Sequence, residues 1–337
     1  MKIIILAGGR GSRLWPISRK ESPKQFLRLE NKSFFKQTVE RSLLIEKAEN
    51  IFISTNEKYV SFVEEEIKDT NIEKENILVE PFAKNTGPAI LFALNELKEK
   101  TEKNELIFIC PSDHYIFPNE KFIKTVEEAK KGASLSYIVT FGVRPNSPET
   151  GYGYITKGEN KIKDTSCYKV EEFTEKPCLE KAEQFIASGN YLWNSGMFLF
   201  PINLMLEEFK EKASEIYNNI NNFEKLKSAP IDKAVIEKSD KIATIPSEFE
   251  WNDIGCWKSF YQMKDKDKKG NVLKGDILAH DVENSLVLGK NKTIACLGLK
   301  DITVIETNDV TFIAPKNRSQ EVKKLVKEYE GRDNKKG

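Results

Sequence analysis

Four runs of apolar residues, 3–7, 51–54, 77–80 and 106–110, carry almost no polar alternation. A strand with one wet face alternates, whereas one buried on both faces does not, so these runs predict strands of a sheet covered on two sides. Between them the spacing turns helical: Tyr59, Phe62, Val63 and Ile67 share one helical face, as do Ile90, Ala93, Leu94 and Leu97. The second helix opens Asn85-Thr86-Gly87-Pro88, a capping residue with proline near the first turn. Strand alternating with helix predicts an α/β fold, a mixed, mostly parallel sheet with helices on both faces. In such sheets ligands sit beyond the carboxyl ends of the strands.

From residue 137 the pattern is more mixed, with strands expected near 137–143, 152–156, 168–174 and 196–200 and helices near 179–188 and 202–220. This reads as the same sheet continuing with a substrate-binding insertion. The charged run Lys264–Gly270 reads as a linker. After it come short strand signals at 277–282, 285–288, 294–297, 302–306 and 310–314, with no helix until 319. The expected organisation is a catalytic domain over 1–263 and a small C-terminal β module over 270–330, compatible with a short β-helix. A last helix would dock through Val322, Leu325, Val326 and Tyr329, and residues 331–337 are expected to be a disordered tail.

Composition narrows the function classes. Lysine and arginine number 53 against 52 acidic residues, so no whole-molecule field favours nucleic acid or an anionic membrane, and any anion site must be local. The N-terminus shows no signal-peptide pattern, and no apolar stretch approaches the ~18 residues of a membrane span. Five scattered cysteines, Cys110, Cys167, Cys178, Cys256 and Cys296, include no C-x-x-C pair, which argues against a disulfide framework or a zinc site. A cytoplasmic location is expected.

The first strand runs into LAGGRGSRLWPISRKESPKQF, residues 6–26. Adjacent glycines let backbone N–H groups approach an anion, Arg13 offers a planar fork for phosphate oxygens, and Lys24 adds a point charge. A P-loop would need Gly-Lys-Ser/Thr, but Gly11 is followed by Ser12-Arg13. A dinucleotide loop would need a third glycine where Leu14 stands, and an acid ending the second strand where Ser54-Thr55-Asn56 stands. The glycines alone would also suit an ordinary tight turn.

The whole string, Gly8-Gly9-Arg10-Gly11-Ser12-Arg13-Leu14-Trp15-Pro16 with Pro23-Lys24-Gln25-Phe26, resembles the N-terminal signature of the sugar-1-phosphate nucleotidyltransferases. Leu-Trp-Pro and Pro-Lys-Gln-Phe are similar to the mannose-1-phosphate guanylyltransferase branch. The resemblance recurs in order at Glu80-Pro81, Asn85–Ala89, Pro111-Ser112-Asp113-His114 and Gly151–Ile155, then at Phe173–Pro177, Asn194–Phe198 and Trp251–Gly255. Lys274-Gly275-Asp276 and Arg318-Ser319-Gln320 continue it into the C-terminal segment.

The resemblance implies a Rossmann-like nucleotidyltransferase fold and attack of mannose 1-phosphate on GTP, giving GDP-mannose and pyrophosphate with Mg2+ (or Mn2+). It makes Arg13, Lys24, Asp113 and Asp253 the catalytic set, with Asp113 and Asp253 as metal ligands. Nucleotide contacts would come from Leu6, Ala7, Gly8, Gly9, Gly11, Ser12 and Arg13, from Asn85, Thr86, Pro88 and Ala89, and from Asp113. Guanine would lie against the backbone of Leu6–Gly8 and the 85–89 loop. The sugar phosphate would meet Lys24, Gly153, Glu175, Lys176 and Asn194, with Glu175 and Asn194 accepting from or donating to hydroxyls. Arg19 could assist or be merely solvated, and His114 is expected to be structural. Bland readings stand beside these: Asp113 as a cap, Asp253 as an Asx-turn before Gly255, and Glu175-Lys176 as a surface ion pair worth under ~1 kcal/mol. Rival functions are another sugar-1-phosphate nucleotidyltransferase, a non-catalytic nucleotide-sugar sensor, and an oxidoreductase. Two histidines are too few for the metal site of a fused phosphomannose isomerase, so that activity is not expected. A homodimer through the β module is a further expectation.

Overall fold

Ile3, Ile4 and Ile5 are fully buried, as a strand covered on both faces requires. The computed structural model describes residues 1–9, 11–28 and 31–333. The chain divides into two compact units: Met1–Gly8, Phe35–Ser112 and Ile116–Trp251 form one, and Gly9–Phe34, Asp113–Tyr115 and Asn252–Gly337 form the other. Whereas the sequence divides near 264–270, these units interleave along the chain.

The first unit holds a nine-stranded sheet. Strands β1 (Lys2–Leu6), β2 (Ile51–Asn56), β3 (Ile77–Glu80) and β4 (Leu106–Pro111) are all parallel, with Ile3 opposite both Ile51 and Phe108. After β5 (Tyr115–Phe117) come β6 (Ile138–Val143), β7 (Gly153–Lys161), β8 (Tyr168–Glu175), β9 (Tyr191–Pro201) and β10 (Ile242–Pro246). The sheet order is β3-β2-β1-β4-β9-β6-β10-β8-β7, and β9 runs antiparallel between β4 and β6. The strand order reverses at β1, so the carboxyl ends of β1 and β4 form the topological switch point, the place where open α/β sheets in general take their ligands. There Ser112 N–H donates to the Leu6 carbonyl at 3.1 Å.

Helix Thr86–Leu97 begins as its sequence predicts: Asn85 is the N-cap and its side chain accepts from the Thr86 N–H at 2.9 Å. Its apolar face, including Ile90, Ala93, Leu94 and Leu97, packs with Ile4, Ile107 and Phe198. Among the elements outside the sequence reading are helices Phe34–Leu43, Asn119–Ser134 and Trp257–Met263, and strand β10. The helix expected over 202–220 breaks at Ala213 (φ −136°) into Ile202–Lys212 and Ser214–Asn218. Strand β9 starts at Tyr191, five residues before the predicted 196, which brings Asn194 into the sheet.

In the second unit, beyond β11 (Glu250–Asn252), the chain coils. Strands β12 (Val272–Lys274), β14 (Leu286–Leu288) and β16 (Ile302–Glu306) stack in parallel, and β13 (Ile277–His280) stacks on β15 (Ile294–Leu297). Two parallel stacks built from successive turns of chain make a short β-helix, and β17 (Thr311–Pro315) ends it by pairing antiparallel with β16. Val282, Val287, Cys296 and Val304 fill its interior. The terminal helix spans Val322–Asp333. Val322 and Val326 are buried and Tyr329 packs beside them, but Leu325 is 44% exposed and does not belong to the docked face. The helix runs through Gly331 to Asp333, where the sequence suggested a disordered tail; residues 334–337 lie outside the described part, as does Arg10. No helix among the described residues is long and apolar enough to cross a membrane.

Candidate active site

In the second unit the glycine loop folds around one lysine. Gly11 has φ +60°, and a Cβ placed on it would lie 2.1 Å from the Lys24 Cβ, so no other residue fits there. Ser18 Oγ donates to the Gly11 carbonyl at 2.8 Å. Leu14 and Trp15 turn inward to pack with Ile254 and Trp257, and the Trp257 Nε1–H donates to the Trp15 carbonyl at 2.9 Å. The apolar half of the loop is thus an anchor that leaves Ser12 and the half-buried Arg13 beside a cleft of about 220 Å3.

That cleft is also lined by Lys24, Asp113, Asp253 and Gly255. The Lys24 Nζ donates to Asp113 Oδ2 at 2.6 Å and also to the Asp253 carbonyl, and its side chain is only 5% exposed. Burial pushes the Asp113 carboxyl up, but Lys24 and then His114 (Nε2 3.9 Å from Oδ1) pull it net below its ordinary value. Asp253 Oδ1 accepts from the Gly255 N–H at 2.8 Å, so the Asx-turn forms, and the same residue still lines the cleft. The two carboxylates set far apart in sequence therefore share one cleft.

The donor set suits a hard divalent cation. Magnesium takes one or two carboxylates and completes its octahedron with phosphate oxygens and water. Among the described residues no group of three or more His, Cys, Asp or Glu side chains is placed to hold a metal. Arg19, by contrast, is not at the cleft: it grips Asp309 with two bonds of 2.6 Å and holds that carboxyl down to about 2. Its guanidinium is partly exposed, and its fork is occupied by that carboxylate.

In the first unit, the carbonyls of Leu6, Ala7 and Gly8 already accept from Ser112 N–H, Thr55 Oγ1 and Asn56 Nδ2. Thr86 Oγ1 accepts from Ile231 N–H, Gly87 N–H donates to Ala229, and Pro88 and Ala89 are buried in the helix start. Beside the Gly8 backbone stands Glu80, 6% exposed at the carboxyl end of β3. Burial pushes its carboxyl up, and the Ser54 hydroxyl, donating at 2.8 Å to Oε1, is its only counterweight. A buried carboxylate held by one neutral donor is costly unless a ligand supplies more. Sequence reasoning missed this role, although an acid closing the apolar run Ile77–Glu80 is a usable signal.

A second cluster joins the ends of β7, β8 and β9. Gly153 pairs with Glu175 in register, and a Cβ on Gly153 would meet Glu175 Oε2 at 2.7 Å. The Glu175 side chain is 5% exposed and ion-paired with Lys176, whose own side chain is 54% exposed, so the pair joins a buried carboxylate to a surface ammonium. Asn194 Oδ1 accepts from Thr140 Oγ1 at 2.7 Å and from Gly196 N–H at 3.1 Å. Its Nδ2 donates to Asp232 Oδ1 at 2.8 Å. Asn194 is therefore oriented with its carbonyl in use, and it can offer a ligand an N–H rather than an acceptor. The acceptor is Asp232, which sequence reasoning missed; burial first, then the Glu175 charge, pushes its carboxyl up to about 6.

Residues 2–270 match the nucleotidyl transferase family, and residues 275–329 match the MannoseP isomerase/GMP-like beta-helix domain. The alginate biosynthesis protein AlgA of Pseudomonas aeruginosa is 39% identical over 97% of this chain and 72% of its own length. The mannose-1-phosphate guanylyltransferase of Escherichia coli K12 is 37% identical over 96% of this chain and 72% of its own. A crystal structure titled mannose-1-phosphate geranyltransferase, from Thermus thermophilus, superposes with a TM-score of 0.87 at 28% identity, covering 98% of this chain and 99% of that one.

Proposed function

Because the chain belongs to the nucleotidyl transferase family, we propose that it transfers GMP from GTP to α-D-mannose 1-phosphate, giving GDP-mannose and pyrophosphate. The observation that carries this reading is the cleft in which Arg13, Lys24, Asp113 and Asp253 meet. Such a set neutralises and aligns phosphates, and the proposed reaction asks none of its side chains to act as nucleophile or base. None is needed: a phosphate monoester has its second pKa near ~6, so the attacking oxygen is already largely dianionic at pH 7. What remains is in-line positioning and charge stabilisation.

Arg13 supplies a fork for the β- and γ-phosphate oxygens, where charge grows as pyrophosphate leaves. Lys24, held by Asp113, keeps that carboxylate ionised and places a fixed cation on the cleft wall. Asp113 and Asp253 would hold Mg2+, which when bound adds Lewis-acid neutralisation of phosphate charge. For the sugar, Glu175 and Asp232 accept from hydroxyls, Asn194 donates, and Lys176 pairs with the phosphate. Glu80 supports guanine in particular, because guanine alone presents two adjacent donors, N1–H and the 2-amino group, to a carboxylate. Uracil and thymine flank their single N–H with carbonyls, which a carboxylate repels.

Pyrophosphate release measured for each nucleoside triphosphate against each sugar 1-phosphate tests the reading. GTP with mannose 1-phosphate is expected to dominate; equal or better turnover of UTP with glucose 1-phosphate would overturn it.

A further inference from the structure

The terminal helix follows the β-helix and lies outside the segment that matches the nucleotidyl transferase family, residues 2–270. Its first turn nevertheless reaches the phosphate cleft. Lys323 lines the same space of about 220 Å3 as Ser12, Arg13 and Asp113. On the assignment of that cleft to nucleotide phosphates, we infer that the C-terminal module completes it: Lys323 is a third cation for the polyphosphate and for the pyrophosphate that leaves.

Three observations support the inference independently of any charge count. Val322, immediately before Lys323, is 2% exposed and shares a core with Leu14, Trp15 and Trp257. The Trp15 ring lies 5.5 Å from Tyr329 two turns further along the helix. Gln320 Nε2 donates to the Cys256 sulfur at 3.5 Å. The helix is therefore fixed at the two segments that carry Arg13 and Asp253, and Lys323 is held where it stands by its neighbours' packing. Successive helical residues turn by about a third of a revolution, so burying Val322 directs Lys323 to another side.

The electrostatics agree. Lys24 is spent on Asp113. With much of the Lys24 charge offset by that carboxylate, Arg13 carries most of the side-chain neutralisation of the leaving group, which gathers charge as the bond to the α-phosphorus breaks. A lysine ammonium on the wall adds a point charge there without demanding the fixed geometry of a guanidinium. Lys324 makes the control: it is 75% exposed and engages Glu321 at 2.8 Å.

Lys323→Gln, Lys323→Arg and Lys324→Gln are compared with the unaltered enzyme for the KM of GTP, the KM of mannose 1-phosphate and inhibition by added pyrophosphate. The expected result for Lys323→Gln is a KM for GTP and a pyrophosphate inhibition constant each raised about tenfold, with the sugar-phosphate KM and the Tm unchanged. Lys323→Arg should recover most of the loss, and Lys324→Gln should match the unaltered enzyme. Equal weakening toward both substrates, or values for Lys323→Gln within twofold of the unaltered enzyme, would overturn the inference. If the unaltered enzyme releases no pyrophosphate from any pair of substrates, the functional reading fails instead.

Discussion

Replacing Glu80 by glutamine tests base selection with almost no change of shape. The carboxylate sits 6% exposed with one hydrogen bond, from Ser54. Against guanine it accepts two N–H groups; glutamine can accept one and turns a donor toward the other. One charge-assisted bond is lost, worth ~1.5–3 kcal/mol, and a buried donor pair is left facing itself, costing a further ~1–3 kcal/mol. At 1.4 kcal/mol per decade, the sum of roughly 2.5–6 kcal/mol predicts a fall in kcat/KM for GTP of about 10²- to 10⁴-fold. UTP gains relative to GTP, because its N3–H and O4 match an amide. Fold stability should not fall. Glu80 is raised in the folded state, so its charged form opposes folding at neutral pH, and the wild-type penalty fades only as pH drops through the raised value. The assay is initial-rate pyrophosphate release with GTP, ITP and UTP. ITP, which lacks the 2-amino group, should lose more with the unaltered enzyme than with the variant. A GTP-over-UTP preference unchanged within a few-fold, in a variant of normal Tm, would refute the reasoning.

Asp113→Asn should lower turnover by at least about 10³-fold at saturating magnesium while circular dichroism stays native, since it removes the charge shared by Lys24 and the proposed metal; near-normal turnover would remove the residue from the mechanism. Asp232→Asn should raise the KM for mannose 1-phosphate with little effect on that for GTP. Because burial and Glu175 push the Asp232 carboxyl up to about 6, its ionised form opposes folding above that pH. The same variant should therefore melt higher than the unaltered protein at pH 7–8, with the gap narrowing below about pH 6 and closed once the pH falls to about the ordinary carboxyl value of 3.8, in thermal scans. Gly11→Ala should weaken the phosphate loop severely, because its Cβ would fall 2.1 Å from the Lys24 Cβ at φ +60°; a normal KM for GTP would contradict that.

The parallel half of the sheet was legible because β1, β2 and β4 are buried on both faces and hold unbroken apolar runs, while edge strand β3, buried only at alternate residues, is still apolar up to Glu80. The helix Asn119–Ser134 was not, since beyond Phe122 and Val126 its buried face is Thr125, Ala129, Gly132 and Ala133, a weak hydrophobic stripe. Strand β9 was read five residues short because Asn194 and Ser195 interrupt it. Both are buried, and Asn194 is tolerated only because Thr140, Gly196 and Asp232 satisfy its amide. A functional side chain in a strand thus hides the strand by breaking its pattern. Asp232 was invisible for another reason: the single-turn helix Ile231–Ala234 is shorter than any period that could announce it.

The charged residues of the cleft were found through their motif, but not their partnerships, which no spacing encodes. Lys24 reads as a phosphate ligand in sequence and turns out to be buried against Asp113, 89 residues away. Its cleft is built from Gly9–Phe34, Asp113–Tyr115 and the chain from Asn252, and each segment starts where a strand, β1, β4 or β11, has just ended. A chain leaving the carboxyl end of a strand has unpaired backbone groups and freedom of direction, which anion binding requires and regular structure forbids. The same freedom erases periodicity. The residues that carry the chemistry are therefore readable as strings at strand ends, and the charge balance among them only from coordinates.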